Sequence, residues 1–221
     1  SKILQIRGPF SEGLALLKRV LGHPVSRVTK SRLFRNIGWL LYVAGRSSEA
    51  LEPYQQALVI AREMGDRRRE GIALSNLAHL HRDQGRVSES LGHHSLALAI
   101  HREVGNRHGE SMALGDLGSL HQNQGRMPEA LKHYLRAIAL AREVGDRRSE
   151  GLFLGNLATL HHEQSRMSEA LEHYQQALVI AREGGDRRCE GQVLGNLAIL
   201  LYSEGSVSEA LEHYRQALAI H

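Results

Sequence analysis

The chain has 221 residues, a net charge of +4, 42% hydrophobic and 24% charged residues, the balance of a soluble globular protein. No apolar run approaches the roughly 18–20 residues needed to cross a bilayer. The single Cys189 excludes an internal disulfide framework and fits a reducing, cytoplasmic setting. Aromatic residues are scarce and Leu and Ala abundant, which favours helix over sheet.

From the N-terminus, Ser11-Glu12-Gly13-Leu14 looks like the second half of a helical unit whose first half is mostly missing, a partial repeat over about 1–24. The chain opens at Ser1 without a methionine, so it is expected to be a piece of a longer protein. A divergent unit over about 25–65 carries Asn36, Trp39 and Tyr42, and from there the frame is regular. Asp66, Asn106, Asp146 and Asp186 stand forty residues apart, as do Leu77, Leu117, Leu157 and Leu197. Repeats are therefore expected at about 66–105, 106–145 and 146–185, with a truncated one at 186–221, all in one array.

Within a unit the periodicity predicts two helices. Leu154, Leu157, Ala158 and His161 share one face of the first; Ala170, Leu171, Tyr174, Ala177 and Leu178 share one face of the second. Gly85 and Gly125 supply turns between helices, while Gly145 closes one unit and Asp146 caps the next helix. Pro128 falls in a first helical turn, where its missing N–H costs nothing. A lone helix pair buries too little apolar surface to stand alone, so neighbours must stack. The fold class is all-α, built of helix-turn-helix repeats.

The run LGNLAILLYSEGSVSEALEHYRQALAI resembles the tetratricopeptide repeat, with Leu194, Leu197-Ala198, Leu201, Ala210, Tyr214 and Ala217 at the family's offsets. The forty-residue period is similar to the variant in kinesin light chains, cell-polarity adaptors and many bacterial regulators. The N-terminal stretch, with Gly38-Trp39 and the ALVIAREMGD ending, looks like the C-terminal sensor arm of bacterial signal-transduction ATPases and transcriptional regulators. The resemblance implies a right-handed α-α superhelix and a protein-interaction scaffold or sensor. The chain contains no GxxxxGK[ST] run for nucleotide binding.

The family's groove asparagine falls on Asn36, Asn76, Asp116, Asn156 and Asn196. A side-chain amide offers one acceptor and two donors and can pair with a peptide group of any sequence; alternatively, these amides only bond the neighbouring helix. The same stripe brings Trp39, Tyr42, His79, Arg82, Gln122, Thr159, His162, Ile199 and Tyr202 to the partner-binding face. Trp39 and Tyr42 serve either as exposed anchors or as core. Gly115, Gly155 and Gly195 are expected to leave room for a partner's side chains. Acidic or polar residues at Asp83, Asn123, Glu163 and Ser203 disfavour the lysine clamp of chaperone-binding relatives.

Fourteen histidines raise a metal hypothesis. Equivalent residues of adjacent repeats lie roughly 9–11 Å apart, whereas zinc ligands sit about 2.0–2.1 Å from a shared ion. No metal, cofactor or catalytic residue is expected, since no nucleophile, base and oxyanion donor assemble. Two alternatives to a protein or peptide partner remain. Arg67-Arg68, Arg147-Arg148 and Arg187-Arg188 could track phosphates, but no stacking aromatics accompany them, which disfavours nucleic acid. Both ends cut through a repeat, so a homodimer or end-to-end self-association is also expected.

Overall fold

The computed structural model describes residues 9–220; the first eight residues of the expected partial unit and His221 lie outside the described residues. Those described form eleven helices and no strand. Residues up to Gly109 form one compact unit and those from Glu110 a second. In the first, α1 (Pro9–Leu21) packs on α2 (Arg27–Val43), α2 on α3 (Ser47–Glu63), α3 on α4 (Arg67–Asp83), and α4 on α5 (Val87–Glu103). In the second, α6 (Arg107–Asn123) enters from Glu110 onward and meets α7 (Met127–Glu143). There α7 packs on α8 (Arg147–Glu163), α8 on α9 (Met167–Glu183), α9 on α10 (Arg187–Ser203), and α10 on α11 (Val207–Leu218).

Local chemistry sets the helix ends. Asp66, Asp146 and Asp186 accept the backbone N–H of Arg69, Ser149 and Cys189 at 2.9, 3.0 and 3.1 Å, satisfying donors that a helix start leaves open. Helices α2 to α10 are each followed by a left-handed residue, glycine in all but one, where Ser165 takes this conformation (φ 59°) with a Cβ. Pro53 sits inside α3 without ending it.

The core is built from the repeated small positions and the large residues beside them. Ala130, Ala170 and Ala210 are buried, and Tyr134 and Tyr174 are buried among them. Helices approach closely at Gly118, where a Cβ would meet the Tyr134 ring at 2.7 Å. Ser111 Oγ donates to the Ala137 carbonyl at 2.8 Å, tying α6 to α7 through a backbone acceptor that already serves the helix.

At three junctions a buried carboxylate joins one hairpin to the next. Glu70 accepts Arg62 Nε at 2.8 Å and Arg67 Nη1 at 2.6 Å, bridging the end of α3 to the start of α4. In the second unit Glu150 accepts Arg142 Nε at 2.7 Å and Arg147 Nη1 at 2.6 Å. Glu190 accepts Arg182 and Arg187 at 3.0 and 2.9 Å. Burial raises the Glu70 carboxyl, but the two guanidinium bonds outweigh it and hold the group below its ordinary value. The Glu150 side chain is 4% exposed, whereas Arg142 and Arg147 keep 55% and 57%. The pair is therefore asymmetric: water can solvate the cations but not the anion.

Two outcomes follow for stability. Ser165→Gly should stabilise the fold by about 1 kcal/mol, because the left-handed conformation strains any residue with a Cβ; a urea melt that shows no gain contradicts this. Arg142→Met with Arg147→Met should cost about 3–5 kcal/mol by stranding a buried carboxylate. Adding Glu150→Leu should recover much of that loss, a non-additivity read from the same melts.

Candidate functional site

The predicted stripe lies on the first helix of each hairpin. In the first unit it forms a cavity of about 350 Å3 lined by Trp39, Tyr42, Tyr54, Asn76, His79 and Arg82. Five of these six are residues that the sequence singles out. Tyr54, from the second helix, is the sixth, and it is buried beneath the cavity floor. Trp39 is 54% exposed, which decides between anchor and core in favour of the exposed reading. Tyr42 is half-buried, and its hydroxyl donates to Asp83, which also accepts Arg82 Nε at 3.3 Å. Burial first, then Asp83, raises the Tyr42 phenol; burial and Tyr42 push the Tyr54 phenol up to about 12. Both phenols are thus neutral donors at neutral pH. His79 packs edge-on against the buried His94, ring centroids 5.0 Å apart. Asn36 is exposed beside the cavity and accepts Arg35 Nη2 at 3.3 Å.

In the second unit the members of the stripe differ in freedom. Gln122 is committed: it accepts the Tyr134 hydroxyl at 2.8 Å and donates to Glu163 at 2.9 Å. Thr159 is committed too, donating to the Gly155 carbonyl at 3.1 Å and lying 2.9 Å from the Tyr174 hydroxyl. These two position the face rather than offer themselves to a partner. Asp116 and His162 are half-buried, and Ile199 and Tyr202 are exposed at 49% and 65%.

The asparagines stand apart. Asn76, Asn156 and Asn196 are half-buried, and among the described residues their amides make no hydrogen bond within the chain. The alternative that they serve only to bond a neighbouring helix finds no contact to support it.

One expectation fails. Gly115 leaves no room for a partner, because a Cβ there would lie 2.1 Å from the Phe153 ring, and the position is buried. Its smallness serves helix packing within the second unit. Gly155 and Gly195 remain open, with Val193 at 3.7 Å from the first and nothing within 4 Å of the second.

The arginine pairs are only partly committed. Arg67, Arg147 and Arg187 hold the buried carboxylates, Arg67 also bonds Glu103 at 2.7 Å, and Arg148 lies 2.9 Å from Asp186. Arg68 and Arg188 are exposed. Among the described residues no helix is long and apolar enough to cross a membrane.

Comparison with known proteins agrees with this geometry. The tetratricopeptide repeat family model matches residues 69–143 and 149–221, and that of anaphase-promoting complex subunit 5 matches 36–84. No curated protein matches the chain. Among solved structures it is similar to BtubC (BKLC) from P. vanneervenii, at 20% identity and TM-score 0.79, over 96% of this chain and 87% of that one. A Rap protein complexed with competence and sporulation factor aligns at 16% identity and TM-score 0.82, over 96% of this chain and 58% of its own. A signal-transduction ATPase with a tetratricopeptide repeat sensor, from Pyrococcus horikoshii, aligns at 16% identity and TM-score 0.81, over 97% and 33%. At such identities the structural likeness is one of fold. The repeat period, the helical hairpins and the family match over most of the length lead to one assignment: the chain belongs to the tetratricopeptide repeat family.

Proposed function

We propose that the chain is a docking module that holds an extended segment of a partner protein or peptide against the first helices of its hairpins. The observation that carries this is the set of free amides at Asn76, Asn156 and Asn196, half-buried on a face where neighbouring polar groups are already paired. Each amide can give and take a hydrogen bond with a peptide group, which fixes the backbone whatever the partner's sequence. Selectivity then falls to the side chains between them. In the first unit the exposed Trp39 indole offers an apolar anchor beside a polar wall of Asn76, His79 and Arg82. In the second unit Ile199 and Tyr202 offer a separate apolar patch beside Asn196.

Support also comes from the relatives. Tetratricopeptide repeats are in general non-catalytic interaction scaffolds, the Rap neighbour is complexed with a factor, and the ATPase neighbour uses its repeats as a sensor. A sensor role in signal transduction fits this chain on the same grounds.

The docking reading is tested with peptides selected on the immobilised chain from a random display library. Asn156→Ala with Asn196→Ala should weaken their binding about tenfold or more, since each lost bond contributes about 0.5–1.5 kcal/mol. The circular-dichroism melt should not move. Equal affinity in the double variant contradicts amide-mediated docking.

A further inference from the structure

Three histidines that the docking face does not use sit where two helices of a hairpin meet. His81 of α4 and His161 of α8 are buried and His121 of α6 is half-buried. Each lies ring on ring with a histidine twelve residues later: His81 with His93 at 5.1 Å, His121 with His133 at 5.2 Å, and His161 with His173 at 5.2 Å between centroids. The second ring is fixed by its helix: His93 and His173 donate Nδ1–H to the carbonyls of Glu89 and Glu169 at 2.8 and 2.6 Å. The first ring is not: Nδ1 of His81, His121 and His161 is buried without a hydrogen-bonding partner. A proton arriving there finds no acceptor, and a second imidazole stands about 5 Å away, so that two protonated rings would repel each other.

We propose that these stacked pairs make the α4–α5, α6–α7 and α8–α9 hairpins acid-sensitive joints that loosen together as the pH falls below neutrality. The hairpin α2–α3 lacks the device, and α10–α11 lacks the pair, although Nδ1 of His213 there is also buried without a partner. They carry Leu41 with Pro53 and Leu201 with His213 in the same slots, and both leucines are buried.

The groups acting on each buried ring come from its own turn and second helix. Burial, then His93 and Arg86, hold His81 below its ordinary value of 6.5 against the pull of Glu89. Burial and Arg126 do the same to His121 against Glu129, and burial, Arg166 and His173 to His161 against Glu169. None of the acting charges on His81 or His161 belongs to the preceding helix, α3 or α7. A ring held down in the folded chain takes protons more readily once unfolded. The contribution of each pair is therefore intact above pH 6.5 and lost as the pH falls toward the folded value. The Glu70 clamp titrates below 4.5, outside this window. His94, held down to about 3 by burial, His79, Arg82 and His93, adds to the effect in α4–α5 alone. Because α4, α6 and α8 also carry the stripe residues, acid would release a docked partner as the joints loosen.

The test is hydrogen exchange, corrected for intrinsic rates, on the full chain and on His121→Leu/His161→Leu at about pH 7.5 and about pH 5.5. In the unsubstituted chain, protection of α4–α9 should fall about tenfold on acidification while α2–α3 holds. In the variant, α6–α9 should keep its protection and α4–α5 should loosen as before. Leucine already fills this slot at Leu41 and Leu201, so the variant is expected to fold. His173→Gln, which removes only the second imidazole beside His161, should lessen the loss in α8–α9 and provides a readout there if the leucine variant fails. Equal acid loosening of α6–α9 with and without the substitutions, or of α2–α3 alongside α4–α5, overturns the proposal.

Discussion

A carboxylate without access to water, gripped by two arginines from successive hairpins, is the contact on which the repeat architecture depends. A hairpin of two seventeen-residue helices cannot bury its own apolar faces, so it must be told where its neighbour goes. Hydrophobic contact alone is non-directional. The Arg142–Glu150–Arg147 group is directional: one oxygen accepts from the helix that ends and the other from the helix that begins. Glu70 and Glu190 repeat the arrangement. Its energetic worth as a surface ion pair would be small. Its worth as a constraint is larger, because any slip of one hairpin on the next strands an anion in the core.

Once hairpins are held in register within a unit, the stripe residues follow. Gln122 and Thr159 are tied to Tyr134 and Tyr174, the aromatic residues of the second helices, so the face is stiffened from below. The asparagines are left with donors and acceptors to spare. In the first unit the same geometry opens a cavity between the Trp39 wall and the Arg82 wall. Division of labour between committed and free polar groups is what distinguishes a docking face from an ordinary wet surface.

What could be read in the sequence was what is local. Asp146 precedes its helix by one residue and caps it within three, so the cap is visible as a pattern. The forty-residue period and the helical face of Leu154, Leu157 and Ala158 are visible for the same reason. The carboxylate clamp was half legible. The sequence places Arg147 three residues before Glu150, but the burial of Glu150 depends also on Arg142, eight residues back across a turn. Stacking of His121 on His133 was hidden likewise, since twelve residues and a turn separate them. Gly115 was misread because small residues admit a partner or a packed neighbour equally well, and only the position of Phe153 decides. Ser165 gave no turn signal at all, being polar and unremarkable in composition, yet it occupies a left-handed turn.

The account turns on amides that stand free while those around them are bound. Water exchange of the side-chain amide protons, followed by nitrogen-edited NMR, measures this directly. Asn76, Asn156 and Asn196 should exchange rapidly, and the Gln122 amide, bonded to Glu163, should exchange much more slowly. Asparagine amides as protected as that of Gln122 would mean that they are structural pins, and the docking face would have to be given up.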